Sequence, residues 1–231
     1  MAKKKKSKRK KLLYWLLIDL VVFGVVIGSL LHKPAGYNPL VRSADSDSDE
    51  VHPYIHRDLA STLYNGAQSQ KPFDLEVIDS ALNEAIALVK WPQASGGVTF
   101  FAPEVLFQPD TIVLRGTTSI EGAELVVTIE LGPTLSDDGL LSLNVQKVKI
   151  GAMNITPLAK MIARREYQNR LETVPVDTDD IRTKIAASLL IDEPFEPVFK
   201  VEDKWVRLQK ISLVQGKLTA HFVPAELTTS R

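Results

Sequence analysis

Apolar residues follow three rhythms along this chain. The first is an almost unbroken run, LLYWLLIDLVVFGVVIGSLL at 12–31, interrupted only by Asp19. At about 1.5 Å of helical rise per residue, a run of this length matches the roughly 30 Å hydrocarbon core of a bilayer. Backbone amides in lipid find no water, so the run is predicted to be a helix. The second rhythm has period two. Phe73, Leu75 and Val77 alternate with polar residues, as do Ile112, Leu114, Gly116, Thr118 and Ile120 within 111–120, and Leu125, Val127, Ile129 and Leu131 within 124–131. Over 140–150 the apolar positions start at Leu141, Leu143 and Val145, then change parity to Val148 and Ile150, as a bulge would make them do. A strand over 98–107 contains Pro103, which suits an edge or a bulge. Turn signals at Glu121-Gly122 and between Gly132 and Gly139 leave no room for crossover helices, so these strands form an antiparallel meander. Three further strands are predicted at about 196–201, 204–214 and 217–223.

The third rhythm is helical. Leu82, Ala85, Ile86 and Val89 share a face after a cap at Asp79 or Ser80. Thr156-Pro157 opens a helix to about Leu171, with Leu158, Met161 and Ile162 on one stripe and Lys160, Arg164, Arg165 and Arg170 on another. A last helix, about 178–191, aligns Ile181, Ile185 and Leu189. Together these patterns predict an α+β fold: an N-terminal transmembrane helix, then one domain with a coiled antiparallel β-sheet packed against two or three helices. The predicted divisions are a basic tail (1–11), the span (12–31), an acidic flexible linker (32–71) containing SADSDSDE at 43–50, the α+β domain (72–225) and a C-terminal tail (226–231).

Charge orients this plan. The whole chain is neutral, with 28 basic and 28 acidic residues, but eight Lys or Arg fall within 1–11 and one acid, Asp19, within the span. Residues 32–231 keep 20 basic and 27 acidic groups, a net of −7. Basic residues stay on the cytoplasmic side of a span, which predicts a cytoplasmic N-terminus and an exported domain in a single-pass cell-membrane protein. A cleaved signal peptide would have a shorter apolar region and small residues after it; here His32-Lys33-Pro34 follows, which favours an uncleaved anchor. Asp19 is costly within lipid and marks a position of interest. Gly24 and Gly28 lie on one helix face and offer a surface for self-association of two spans.

The search for reactive groups is short. There is no cysteine, so disulfides, thiolate metal sites and thiol catalysis are excluded. No G-x-S-x-G, H-E-x-x-H, P-loop or G-x-G-x-x-G occurs. The histidines are His32, His52, His56 and His221; Pro53 spoils the helical spacing of the middle two as a metal pair, and His221 falls within a strand. No catalytic residue, metal or cofactor is therefore expected, and the acidic exported portion argues against nucleic acid.

The motifs FDLEV (73–77), Leu82-Asn83 and Gly151-x-Met153-x-Ile155-x-Pro157, after a basic start and one span, resemble the YpmS-like family of bacterial single-span proteins of unknown function. The resemblance covers about 70–225, and the layout is also similar to the tubular lipid-binding domains, which implies an apolar channel for acyl chains. On alternation alone, Leu125, Val127, Ile129, Leu141, Leu143 and Leu218 are candidates to line such a site, and Lys160, Arg164 and Arg165 to hold an anionic headgroup. The leading expectation is a membrane-anchored, non-enzymatic envelope protein that binds a lipid or amphiphile. The alternatives are an envelope-assembly scaffold and an enzyme acting on a cell-wall polymer.

Overall fold

A computed structural model describes residues 3–40, 52–89, 91–95, 98–120, 122–173 and 180–225. Among them are five α-helices, one π-helical segment and two antiparallel sheets, an α+β chain. Helix α1, Lys3–Leu30, contains a window, Leu13–Leu30, of mean hydropathy 2.2 that is long and apolar enough to cross a membrane. The helix begins at Lys3, so the backbone of the basic tail continues the apolar helix without a break.

The larger sheet runs in chain order through β2 (Gln93–Ser95), β3 (Val98–Gln108), β4 (Thr111–Ile120), β5 (Ala123–Leu135), β6 (Leu141–Ile150) and β7 (Met153–Asn154). The smaller sheet joins β1 (Phe73–Ile78) to the chain's last strands in the order β1-β10-β9-β8, with β8 Val198–Val201, β9 Lys204–Val214 and β10 Lys217–Pro224. Two sheets thus replace the expected single coiled sheet. The separation arises at the outer edge of β3, where side chains close the strand. Asn83 Nδ2 donates to the Val105 carbonyl and Val105 N–H donates to Asn83 Oδ1, both at 2.7 Å. A side-chain amide offers one donor and one acceptor, as a neighbouring strand would. Further along the same edge, Phe107 N–H donates to the Asp79 carboxylate at 3.1 Å and Phe107 O accepts from Gly216 N–H at 2.9 Å, which stitches the β9–β10 turn to β3. Asp79 is therefore no side-chain cap for α3 (Asp79–Ala87), whose N-cap is Ile78; its carboxylate serves the neighbouring strand.

The strand irregularities fall where the sequence predicts them. The β3–β4 register shifts between Phe101 and Glu104, around Pro103, and the β5–β6 register shifts opposite Gln146, between the two parities of β6. The closed core lies on the smaller sheet, where Val206, Leu208, Ala220 and Phe222 meet Leu141, Phe195 and Ala67. Helix α2 (Ser61–Ser69) supplies Ala67, and α5 (Ile181–Ile191) adds Ile181 and Ile185. The Gly66 backbone lies so near the Phe73 ring that a Cβ would strike it. Ser188 on α5, fully buried, accepts from Leu143 N–H at 2.8 Å and so caps the free edge of β6. Helix α4, Thr156–Thr173, precedes α5 and packs beside it.

The expected linker over 32–71 is corrected in two places. Residues 54–69 are helical: a π-helical segment, Tyr54–Ala60, runs into α2, and Tyr54 Oη accepts from Ile78 N–H at 2.8 Å. Within 32–40, Tyr37 fastens the chain to the larger sheet, as described next. The acidic stretch 43–50 and the tail 226–231 lie outside the described residues.

Candidate functional site

Helix α1 and the larger sheet meet at the β6–β7 turn. Ala152 N–H donates to the Ser29 carbonyl at 2.8 Å, in the last turn of α1. Gly151 makes the approach possible: its φ is +59, and a Cβ there would collide with the carbonyl oxygens of Ser29 and Leu30. Beyond α1 the chain turns at Pro34, whose carbonyl accepts from Tyr37 N–H at 3.2 Å, with Gly36 at φ +74.

Tyr37 then plugs into the sheet and is only 5% exposed. Its hydroxyl donates to the Ala102 carbonyl at 2.6 Å. A phenol has one proton, so at the 2.8 Å contact with Thr117 the threonine hydroxyl donates to the tyrosine oxygen. Burial raises the phenol's pKa above its ordinary 10, the Thr117 hydrogen bond opposes this, and the Glu104 carboxylate and the Arg115 guanidinium act in opposite senses at longer range. Glu104 and Arg115 face each other across β3 and β4 at 3.5 Å on the same side of the sheet. The Ala102 carbonyl is available because the bulge before Pro103 holds Ala102 at φ +52. The ten residues 31–40 therefore form a strap that ties α1 to the sheet.

Leu40, at the strap's end, borders an apolar cavity of about 330 Å³. Val89, Trp91 and Pro92 from the turn after α3, and Thr99, Phe101 and Ala102 from β3, complete its wall. Among the described residues no ionisable side chain lines it. Trp91 is held by its indole N–H, which donates to the Ile86 carbonyl at 3.0 Å. Such a site accepts apolar matter by shape and burial, and its volume is near the lower end of the range for small-ligand pockets, about 300–1,000 Å³.

The residues singled out from sequence distribute differently. Leu141 is in the closed core, with Leu143 and Leu218 packed against it. Leu125, Val127 and Ile129 are half-buried on the apolar face of β5. None of the six lines the cavity at Leu40. Lys160 and Arg164 both reach Asp192, at 3.1 Å each, across the α4–α5 pair; Arg165 lies with the exposed residues Leu158, Met161 and Ile162 on the other side of α4. Gly24 and Gly28 face open space, and the rest of the apolar helix around Asp19 is likewise exposed. His221 Nδ1 contacts Asp74 Oδ1 at 2.6 Å on the open face of the smaller sheet, in a polar depression of about 620 Å³. Ser212 and Thr219 line the same depression, but among the described residues no hydroxyl hydrogen-bonds the other ring nitrogen of His221, and no group of three metal-ligating side chains gathers. Tyr37 and the cavity residues were missed by the sequence reading. The signals available were a large aromatic in the expected linker and the Trp91-Pro92 break after α3.

No protein-family model matches the chain, and no curated protein matches it. The resemblance to the YpmS-like family rests on the motifs named above.

Proposed function

We propose that this protein is a single-pass envelope protein whose domain, outside the cytoplasm, binds a lipid or other amphiphile without chemical turnover. In this reading α1 crosses the bilayer with its lysine-rich start on the cytoplasmic side, following the charge asymmetry of its flanks. The observation that carries the ligand assignment is the cavity of about 330 Å³ at Leu40, largely apolar among the described residues and reached from α1 by a strap of ten residues. A cavity of this size takes part of an acyl chain and leaves a headgroup outside. On the open face of the smaller sheet His221 contacts Asp74, and among the described residues no hydroxyl completes a relay of acid, base and nucleophile with them, which favours binding over catalysis.

The test is native mass spectrometry and lipid extraction of the full chain purified in mild detergent. Val89 lies at the cavity's exposed margin, so Val89→Trp caps the cavity without entering the core. The expected result is an amphiphile retained by the wild type and lost from the variant, which separates cavity-bound lipid from lipid around α1. Equal retention by both proteins overturns the assignment. A second reading, an assembly scaffold, is favoured by the exposed stripe Leu158–Met161–Ile162 on α4; crosslinking from that stripe to another envelope protein in cells would support it.

A further inference from the structure

The larger sheet is polarised along its strands. At the end marked by the β3–β4 turn and the β5–β6 loop, Asp110, Ser136, Asp137 and Asp138 are exposed beside Pro109. At the opposite end, where β3 starts and the β4–β5 hairpin turns, large apolar side chains are exposed. Phe100 is 45% exposed and Ile120 47% exposed, and both project from one face, since Phe100 pairs with Thr118 and Ile120 lies two residues beyond it. Leu40 and Val89, also exposed, border the cavity formed with Thr99 and Phe101 on the other face. Apolar residues therefore flank this end on both faces, although Glu124 accompanies them on the strap side.

Strand geometry places this end about 10–15 Å from the turn that touches α1. Gly151 N–H donates to the Val126 carbonyl at 2.8 Å, and Val126 pairs with Thr117 on β4. Thr117 is thus about 10 Å, two strand spacings, from the turn that touches Ser29. Phe100 sits on the next row, and Ile120 two residues, about 7 Å, farther at the rise of a strand. Tyr37 holds the strap against the same rows. If Leu30 marks the end of the apolar span, the polar interface above it is only about 5–7 Å deep. The start of β3 and the end of β4, tied to α1 at Ala152 and through Tyr37, then lie beside the bilayer.

From this we infer that the start of β3 and the end of β4 seat in the lipid leaflet that receives the C-terminal end of α1, with Phe100 and Ile120 in contact with acyl chains. The inference rests on the proposed crossing of the bilayer by α1 and deepens the binding reading: the cavity opens beside the leaflet, so its ligand is a lipid of that leaflet taken up sideways and not a solute captured from water. Burial of exposed apolar area supplies the driving force, about 25 cal/mol per Å², and continuity with the span removes the translational cost of finding the surface.

The chain has no cysteine, so single nitroxide labels need no background substitutions. The full chain is reconstituted in vesicles of phosphatidylcholine and phosphatidylglycerol, with labels at Phe100→Cys, Ile120→Cys and, as controls at the other end, Asp137→Cys and Asp138→Cys. Collision with lipid-soluble oxygen is compared with collision with an aqueous nickel chelate. Positions 100 and 120 are expected to favour oxygen several-fold over positions 137 and 138. Labels at 100 and 120 as open to nickel as the controls overturn the inference. The double variant Phe100→Ser/Ile120→Ser, at two exposed positions, guards against misfolding: it is expected to unfold at the wild-type temperature in detergent and to lose the lipid contact reported by a label at Leu40→Cys. Lipid retained in the cavity with aqueous labels would leave the binding reading standing and sink the seat; labels in hydrocarbon on a lipid-free protein would do the reverse.

Discussion

Replacing Tyr37 by phenylalanine removes one oxygen from a buried site and keeps the ring. The Ala102 carbonyl loses its donor and the Thr117 hydroxyl loses its acceptor, at 2.6 and 2.8 Å in the native protein. A buried polar group stripped of its partner costs about 1–3 kcal/mol, against a net gain of about 1 kcal/mol for a typical intact bond. Tyr37→Phe is therefore expected to destabilise the domain by about 2 kcal/mol. For a protein of this size that is a fall in unfolding temperature of about 4–8 °C. Calorimetry of the full chain in detergent micelles measures it. Thr117→Val completes a double-mutant cycle, and the two changes should couple by about 1 kcal/mol because they share one bond. The phenol adds a pH signature. Its folded pKa is raised by burial, so the stability it contributes is complete below the unfolded value, about pH 10, and is lost as pH rises through the folded value. Tyr37→Phe abolishes that alkaline loss. A variant within 1 °C of wild type across pH 7 to 11, with no coupling to Thr117, would refute the plug.

Other substitutions test the neighbouring contacts. Gly151→Ala forces a Cβ against the Ser29 and Leu30 carbonyls at a left-handed φ, which alone costs about 1–2 kcal/mol; hydrogen exchange at the Ala152 amide should accelerate while that at Phe107, stitched at the far edge, does not. Asn83→Leu removes both bonds to Val105 and is expected to cost about 2–4 kcal/mol, read as a lower unfolding midpoint in urea. Asp192→Gly loses two partly exposed ion pairs, together worth about 1 kcal/mol or less, but relieves a residue at φ +61. Its unfolding temperature should stay within about 3 °C of wild type, whereas Asp192→Val should fall well below it.

The strands were the most legible part of this sequence, because alternation is a local property. Pro103 and the parity change after Val145 each marked a bulge that is present. The two short strands β2 and β7 were too brief to show a period. Helix at 54–69 was hidden by Pro53, Asn65 and Gly66, residues that read as linker. Alternation also told which residues share a face, but not what lies over that face. Leu141, Leu143 and Leu218 were drawn into a closed core because the smaller sheet and α5 cover them. Lys160 and Arg164 meet Asp192 at the end of α5, a partner that no helical period announces. The cavity joins Leu40, Val89 and Phe101, far apart in the chain, and the Tyr37–Thr117 bond spans 80 residues. Such meetings belong to tertiary structure and leave no periodic trace.

The junction at Gly151 has a mechanical corollary. A helix whose final turn shares a backbone bond with the sheet has little freedom to pivot beneath it. Thinner or thicker membranes change the tilt of a helix that crosses them. If α1 crosses a bilayer as proposed, such a tilt would pass through this joint to the head, whose inclination would follow the thickness of the surrounding membrane.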